Sequence, residues 1–166
     1  MFVLGIDPGL SRCGYGCIEA RPEGPRAVAI GVITTPPADP LPQRLAELQG
    51  ELRALLAELR PATVAIERVF FQVNVRTAMS VGQASGLAMA EAVAAGCEVV
   101  QYTPNQVKEA VAGHGAADKE QVQTMVQTLL GLAAPPRPAD AADAAALALC
   151  HLAHEPTRRA VARARR

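Results

Sequence analysis

Apolar residues fall into short runs and one long stripe along this chain. Residues 2–7 form an apolar run that closes on Asp7 and the breaker pair Pro8-Gly9, which predicts a buried strand ending in a turn. Residues 13–19 predict a second strand, in which Gly14 and Gly16 alternate with larger residues, and the short gap suits an antiparallel hairpin. A third strand is expected over 26–34, before the proline cluster at 36–40. Leu41, Leu45, Leu48, Leu52, Leu55 and Leu59 then recur every three or four positions, one face of a helix that Pro61 ends.

The second half alternates. The β-branched segment 63–67 predicts a central strand closing on Glu67, and a helix follows over about 77–95, stopped by Gly96. A fifth strand is expected at 97–102. Thr103-Pro104 reads as an N-cap and first helical proline, opening a helix to about Ala112. After Gly113-His114-Gly115 come a helix over 118–130, a proline-rich break, and a last helix over about 139–153. The order βββαβαβααα predicts an α/β fold, a mixed five-stranded sheet with helices on both faces. We read residues 1–154 as one domain and 155–166 as a basic, mobile tail.

Composition narrows the class. The chain has 166 residues, 50% hydrophobic and 19% charged, enough to bury a core and too apolar for disorder. No apolar run reaches the ~20 residues that span a bilayer, and the N-terminus lacks a signal peptide. Four cysteines without a CxxC pair predict reduced thiols and a cytoplasmic protein. Net charge is zero, yet residues 1–157 carry 11 basic against 16 acidic groups because five arginines crowd the C-terminus. Nucleic-acid binding by this body therefore requires a local patch or a metal.

The acids supply the candidate chemistry. Asp7 and Glu67 close two strands that reach the same sheet edge if they are parallel neighbours. Asp140 and Asp143, spaced i, i+3, share one face of the last helix's first turn. Four carboxylates within ~5 Å repel by several kcal/mol, so such a nest is expected to need divalent cations. Oxygen ligands alone favour Mg²⁺ or Mn²⁺, and two such ions suit in-line phosphodiester cleavage.

The segments Gly5-Ile6-Asp7-Pro8-Gly9, Gly14-Tyr15-Gly16, Ala65-Ile66-Glu67 with Phe70, and Asp140-Ala141-Ala142-Asp143 together resemble the RuvC family of Holliday-junction resolvases. Gly82-Gln83-Ala84, Gln106-Val107-Lys108 and the stretch from Lys119 to Val126 extend the likeness to about residues 2–154. The resemblance implies a ribonuclease H-like fold and a homodimer that makes paired nicks in strands of like polarity at four-way DNA junctions, in recombination and repair. It implies Asp7, Glu67, Asp140 and Asp143 as catalytic ligands of two Mg²⁺ ions, with Mn²⁺ as substitute. Some relatives carry His at the position of Asp140. RuvA–RuvB branch-migration partners are implied in the same way.

Among the supporting residues, Phe70 follows Glu67 by three positions, where an aromatic ring can stack on or wedge between bases. Lys108 and Lys119 are the only lysines beside fourteen arginines, which suggests compact charges aimed at phosphate. Arg76 is a weaker DNA contact. The turn from Gly9 to Gly14 is expected to admit a close phosphodiester. Other readings are a different ribonuclease H-fold nuclease, a non-catalytic junction binder, or an actin-like ATPase, whose second phosphate loop is missing.

Overall fold

In the computed structural model, residues 1–68 and 75–164 are described. The strands are β1 (Phe2–Asp7), β2 (Arg12–Glu19), β3 (Arg26–Thr34), β4 (Thr63–Glu67) and β5 (Glu98–Tyr102). They form one sheet in the order β3-β2-β1-β4-β5. The β1–β2 and β2–β3 pairs are antiparallel, whereas β1–β4 and β4–β5 are parallel, as the element order predicts. The helices are α1 (Leu41–Leu59), α2 (Val75–Ala94), α3 (Pro104–Ala112), α4 (Lys119–Leu130) and α5 (Ala139–Ala164).

Strand alternation divides the core in two. Leu4 and Ile6 of β1, Cys13 and Cys17 of β2, and Val64 and Ile66 of β4 pack against α1 and α2. On the other face Val3, Ile18, Ala65 and Tyr102 meet α3, α4 and α5. The leucine stripe of α1 shifts slightly from expectation: Leu48, Leu52 and Leu56 are buried, while Leu45, Leu55 and Leu59 pack at the margin. A helix drifts relative to a repeat of seven, so the buried line slides by one position over its length. Each fully buried leucine contributes roughly 1.5–3 kcal/mol.

Helix α5 lies directly on β1 and β2 because both surfaces are nearly bare. Ala141, Ala142, Ala144, Ala145, Ala146 and Ala148 are completely buried along the helix. Beneath them, a Cβ on Gly5 would stand 1.9 Å from the Ala144 carbonyl oxygen, and one on Gly14 would stand 2.0 Å from that of Asp140. Neither backbone can yield without lifting the helix. Gly14 therefore seats α5. Gly5→Val or Gly14→Val is expected to cost at least 1–3 kcal/mol, the usual penalty of overpacking, read as a lower denaturation midpoint.

One boundary differs from the sequence reading. The last helix does not stop near Ala153 but runs through Pro156 to Ala164. A proline removes one helical hydrogen bond, and the next turn is held from outside. Arg158 pairs with Glu98 of β5 and lies 3.5 Å from Glu155. No helix among the described residues is long and apolar enough to cross a membrane.

Candidate active site

Asp7 and Glu67 come together because β1 and β4 are parallel and in register up to Ile6 opposite Ile66. Both acids have the parity of Val3 and Ala65, so both face the side that α5 covers. The end of β4 is fixed by the Arg68 amide, which donates to the Tyr102 carbonyl at 2.8 Å. Helix α5 then brings Asp140 and Asp143 over this edge in its first turn.

Two capped helices supply the lysines. Thr103 and Gln106 form a capping box at the start of α3, which carries Lys108. Asp118 and Gln121 form a second box, making Lys119 the first residue of α4. A cation at a helix N-terminus opposes the macrodipole. Lys119 is compensated by donating to Asp143 at 2.9 Å, a charge-assisted bond. Asp7, Glu67, Asp143, Lys108 and Lys119 line one cleft of about 270 Å³, with Val107, Val122 and Leu147 among its apolar walls. Larger hollows of about 490 and 630 Å³ lie elsewhere, and neither is lined by more than one carboxylate.

The electrostatics match this crowding. The Asp7 carboxyl is pushed up to about 7, first by burial and then by the charges of Asp143, Glu67 and Asp140; Lys119 opposes the shift. Glu67 is also raised, by burial and Asp143. Lys119 is held above its ordinary value by its hydrogen bond and charge interaction with Asp143, so it stays a cation.

The four predicted acids meet at one sheet edge, but they do not close into a single nest. Asp143 turns to Lys119, and Asp140 turns to Arg12, whose Nε lies 3.3 Å from its carboxylate. Asp140 does not appear in the cleft wall. Among the described residues, no three His, Cys, Asp or Glu side chains are gathered as an ion cage. Two side-chain cations, Lys119 and Arg12, supply part of the countercharge at this edge. The donor set still fits a hard divalent ion. It is all oxygen, and the Asp7 carboxyl is raised by burial first and then by the charges of Asp143, Glu67 and Asp140, a surplus of negative charge that Lys119 only partly opposes.

Arg12 is the residue that sequence reasoning missed. Its signal was parity: it shares the strand face of Gly14 and Gly16, the face on which α5 rests. Phe70 lies outside the described residues, as does the side chain of Arg76, so neither expectation is addressed by the geometry. His151 is buried on α5 and bonded to the Tyr102 hydroxyl at 3.0 Å, away from the acids, as its two-turn separation from Asp143 predicts. Cys13 and Cys17 are buried thiols, and burial pushes Cys13 up to about 12, unsuited to hard-ion chemistry.

Comparison with known proteins agrees with this architecture. A family model described as crossover junction endodeoxyribonuclease RuvC matches residues 3–151. A protein of that name from Salinispora arenicola is 54% identical over 165 residues, covering 99% of this chain and 94% of that one. Another from Chloroflexus aggregans is 50% identical, covering 95% of this chain and 96% of the relative. Thermus thermophilus RuvC, solved in complex with a Holliday junction substrate, superposes with a TM-score of 0.90 at 38% identity, covering 95% and 96% of the two chains. The sheet order, the α5 seat and these whole-length likenesses agree, and the chain belongs to the RuvC family of crossover junction endodeoxyribonucleases, which are metal-dependent nucleases.

Proposed function

We propose that this protein resolves four-way DNA junctions by hydrolysing one phosphodiester in each of two strands of like polarity, with Asp7, Glu67, Asp140 and Asp143 as its metal-binding catalytic residues. The observation that carries the reading is the placement of Asp7 and Glu67 at the ends of adjacent parallel strands, on the face crossed by the first turn of α5. When bound there by the four carboxylates, two Mg²⁺ ions, or Mn²⁺ in their place, would activate water and steady the leaving 3′ oxygen.

The chain's own groups do the rest. Lys119 and Lys108 stand at the cleft as compact cations, suited to hold phosphate oxygens in line with the carboxylates. Lys119 keeps its proton because Asp143 raises its affinity for it, so it serves as a charge and not as a base. The apolar walls, Val107, Val122 and Leu147, limit water around the scissile group. Phe70, three residues past Glu67, is assigned to stacking on bases opened at the crossing, worth ~1–3 kcal/mol per stacked base. Arg76 is assigned to the backbone of the same strand.

Two matched nicks call for two equivalent centres, which a C₂ dimer provides. Helix α2 offers a face for a second copy. Ala84, Ala88 and Ala92 are buried inward, while Met79 and Val93 stand 59% and 64% exposed on the other side. Gly82 and Gly86, at helical spacing between them, face open space. By family likeness we place the protein in the cytoplasm, working with the RuvA–RuvB complex, and we treat residues 1–154 as the nuclease domain.

The test is a panel of substrates incubated with Mg²⁺ or Mn²⁺: a mobile junction, the same junction opened at its crossing, a plain duplex and an RNA–DNA hybrid. Symmetrical nicks in the junction, with the duplex and hybrid uncut, are expected. Phe70→Ala should slow cutting of the closed junction more than of the opened one. Met79→Glu should uncouple the two nicks. Preferential cutting of the hybrid would favour a general ribonuclease H activity instead.

A further inference from the structure

The two acids of α5 are treated differently by the fold, and the difference lies in their cations. Asp143 faces the cleft and bonds to Lys119, which itself lines that cleft. Asp140 is one helical turn earlier and is held on the β2 side, 3.3 Å from Arg12. The Arg12 side chain is 60% exposed and that of Asp140 26% exposed, so the pair lies at the rim of the edge. Arg12 is fixed by two constraints. It is the first residue of β2, paired with Thr34 across the sheet. The chain two residues on, at Gly14, is pressed against the Asp140 carbonyl.

From this geometry we propose that Arg12 is a positioning residue that draws Asp140 away from the cleft and offsets its charge, so that it sets the divalent-ion concentration at which the centre fills. The inference rests on the reading that the four acids hold the ions. A divalent ion approaching Asp7 and Asp143 meets the repulsion of Arg12 and the loss of the Asp140 carboxylate as a donor. Removing the guanidinium relieves both. Even in a water-like dielectric, one positive charge ~6 Å from a divalent ion changes its affinity by about tenfold. Lys119 opposes ions in the same way, but it is assigned to phosphate and cannot separate the two roles. Arg12 can.

The experiment is a Mn²⁺ titration of the DNA-free protein, with free ion followed by electron paramagnetic resonance. R12A and R12Q are expected to bind Mn²⁺ about tenfold more tightly than the wild type at low salt, and R12K to stay near wild type. In a D140N background the effect of R12A should shrink to threefold or less. A contact between Arg12 and DNA phosphate would move none of these values, since no DNA is present. Unchanged or weaker ion binding in both R12A and R12Q would overturn the proposal while leaving the metal centre in place. Wild-type protein whose Mn²⁺ binding is indifferent to Asp7→Asn would remove the metal centre itself, and the role of Arg12 with it.

Discussion

Asp7→Asn is expected to abolish junction nicking in Mg²⁺, by about three orders of magnitude or more, while junction binding in Ca²⁺ stays within threefold of wild type. The Asp7 carboxyl is raised by burial and by the charge of all three other acids. Asparagine keeps the shape and one oxygen but removes the charge that a divalent ion requires. In the proposed reading, binding is expected to rest instead on Lys108 and Lys119, which line the same cleft and which this substitution does not touch. Single-turnover cleavage and a mobility-shift assay separate the two quantities. A variant that cuts at the wild-type rate would show that the centre lies elsewhere.

The same substitution should stabilise the metal-free protein, with a sign set by the direction of the shift. The Asp7 carboxyl binds its proton more tightly in the folded state, at about 7, than at its ordinary value of 3.8. Folding stability attributable to Asp7 is therefore lost as pH rises from about 4 to about 7, and the penalty is complete above that. A gap of about three units corresponds to ~4 kcal/mol, reduced to about half by solvent at the cleft mouth. In EDTA at pH 8, Asp7→Asn is expected to melt roughly 4–8 °C above wild type, given ~2–4 °C per kcal/mol for a chain of this size. Near pH 4 the difference should vanish. Adding Mg²⁺ should close the gap from the other side, because ions that bind only the folded wild type raise its melting point. A gap that ignores pH, or a variant less stable than wild type at pH 8, would contradict the electrostatic reading of the site.

The sheet edge that gathers Asp7 and Glu67 was legible in the sequence because it follows from local rules. The run closing on Asp7, the short strand closing on Glu67 and the parity of both residues are visible without coordinates, and parallel pairing of β1 with β4 does the rest. The caps at Thr103 and Asp118 were legible in different degrees. The first was read from Thr-Pro, whereas the second was placed inside the helix, although its box with Gln121 has the same spacing. What escaped depends on contacts between distant segments. Arg12 and Asp140 are neighbours only because Gly5 and Gly14 let α5 settle on the sheet, and no spacing rule links positions so far apart. The continuation of α5 past Pro156 escaped for a related reason: Glu98, on β5, anchors Arg158 against the local signal of the proline. The pairing of Asp140 with Arg12 and of Asp143 with Lys119 could not be read from spacing.

The most direct measurement is anomalous diffraction from crystals of the protein with a junction, soaked in Mn²⁺ under conditions that suppress turnover. Manganese peaks among Asp7, Glu67, Asp140 and Asp143, and absent from Asp7→Asn crystals, are the predicted result. Manganese bound at full occupancy elsewhere, with Asp143 still paired to Lys119 and Asp140 to Arg12 beside the scissile phosphate, would contradict it.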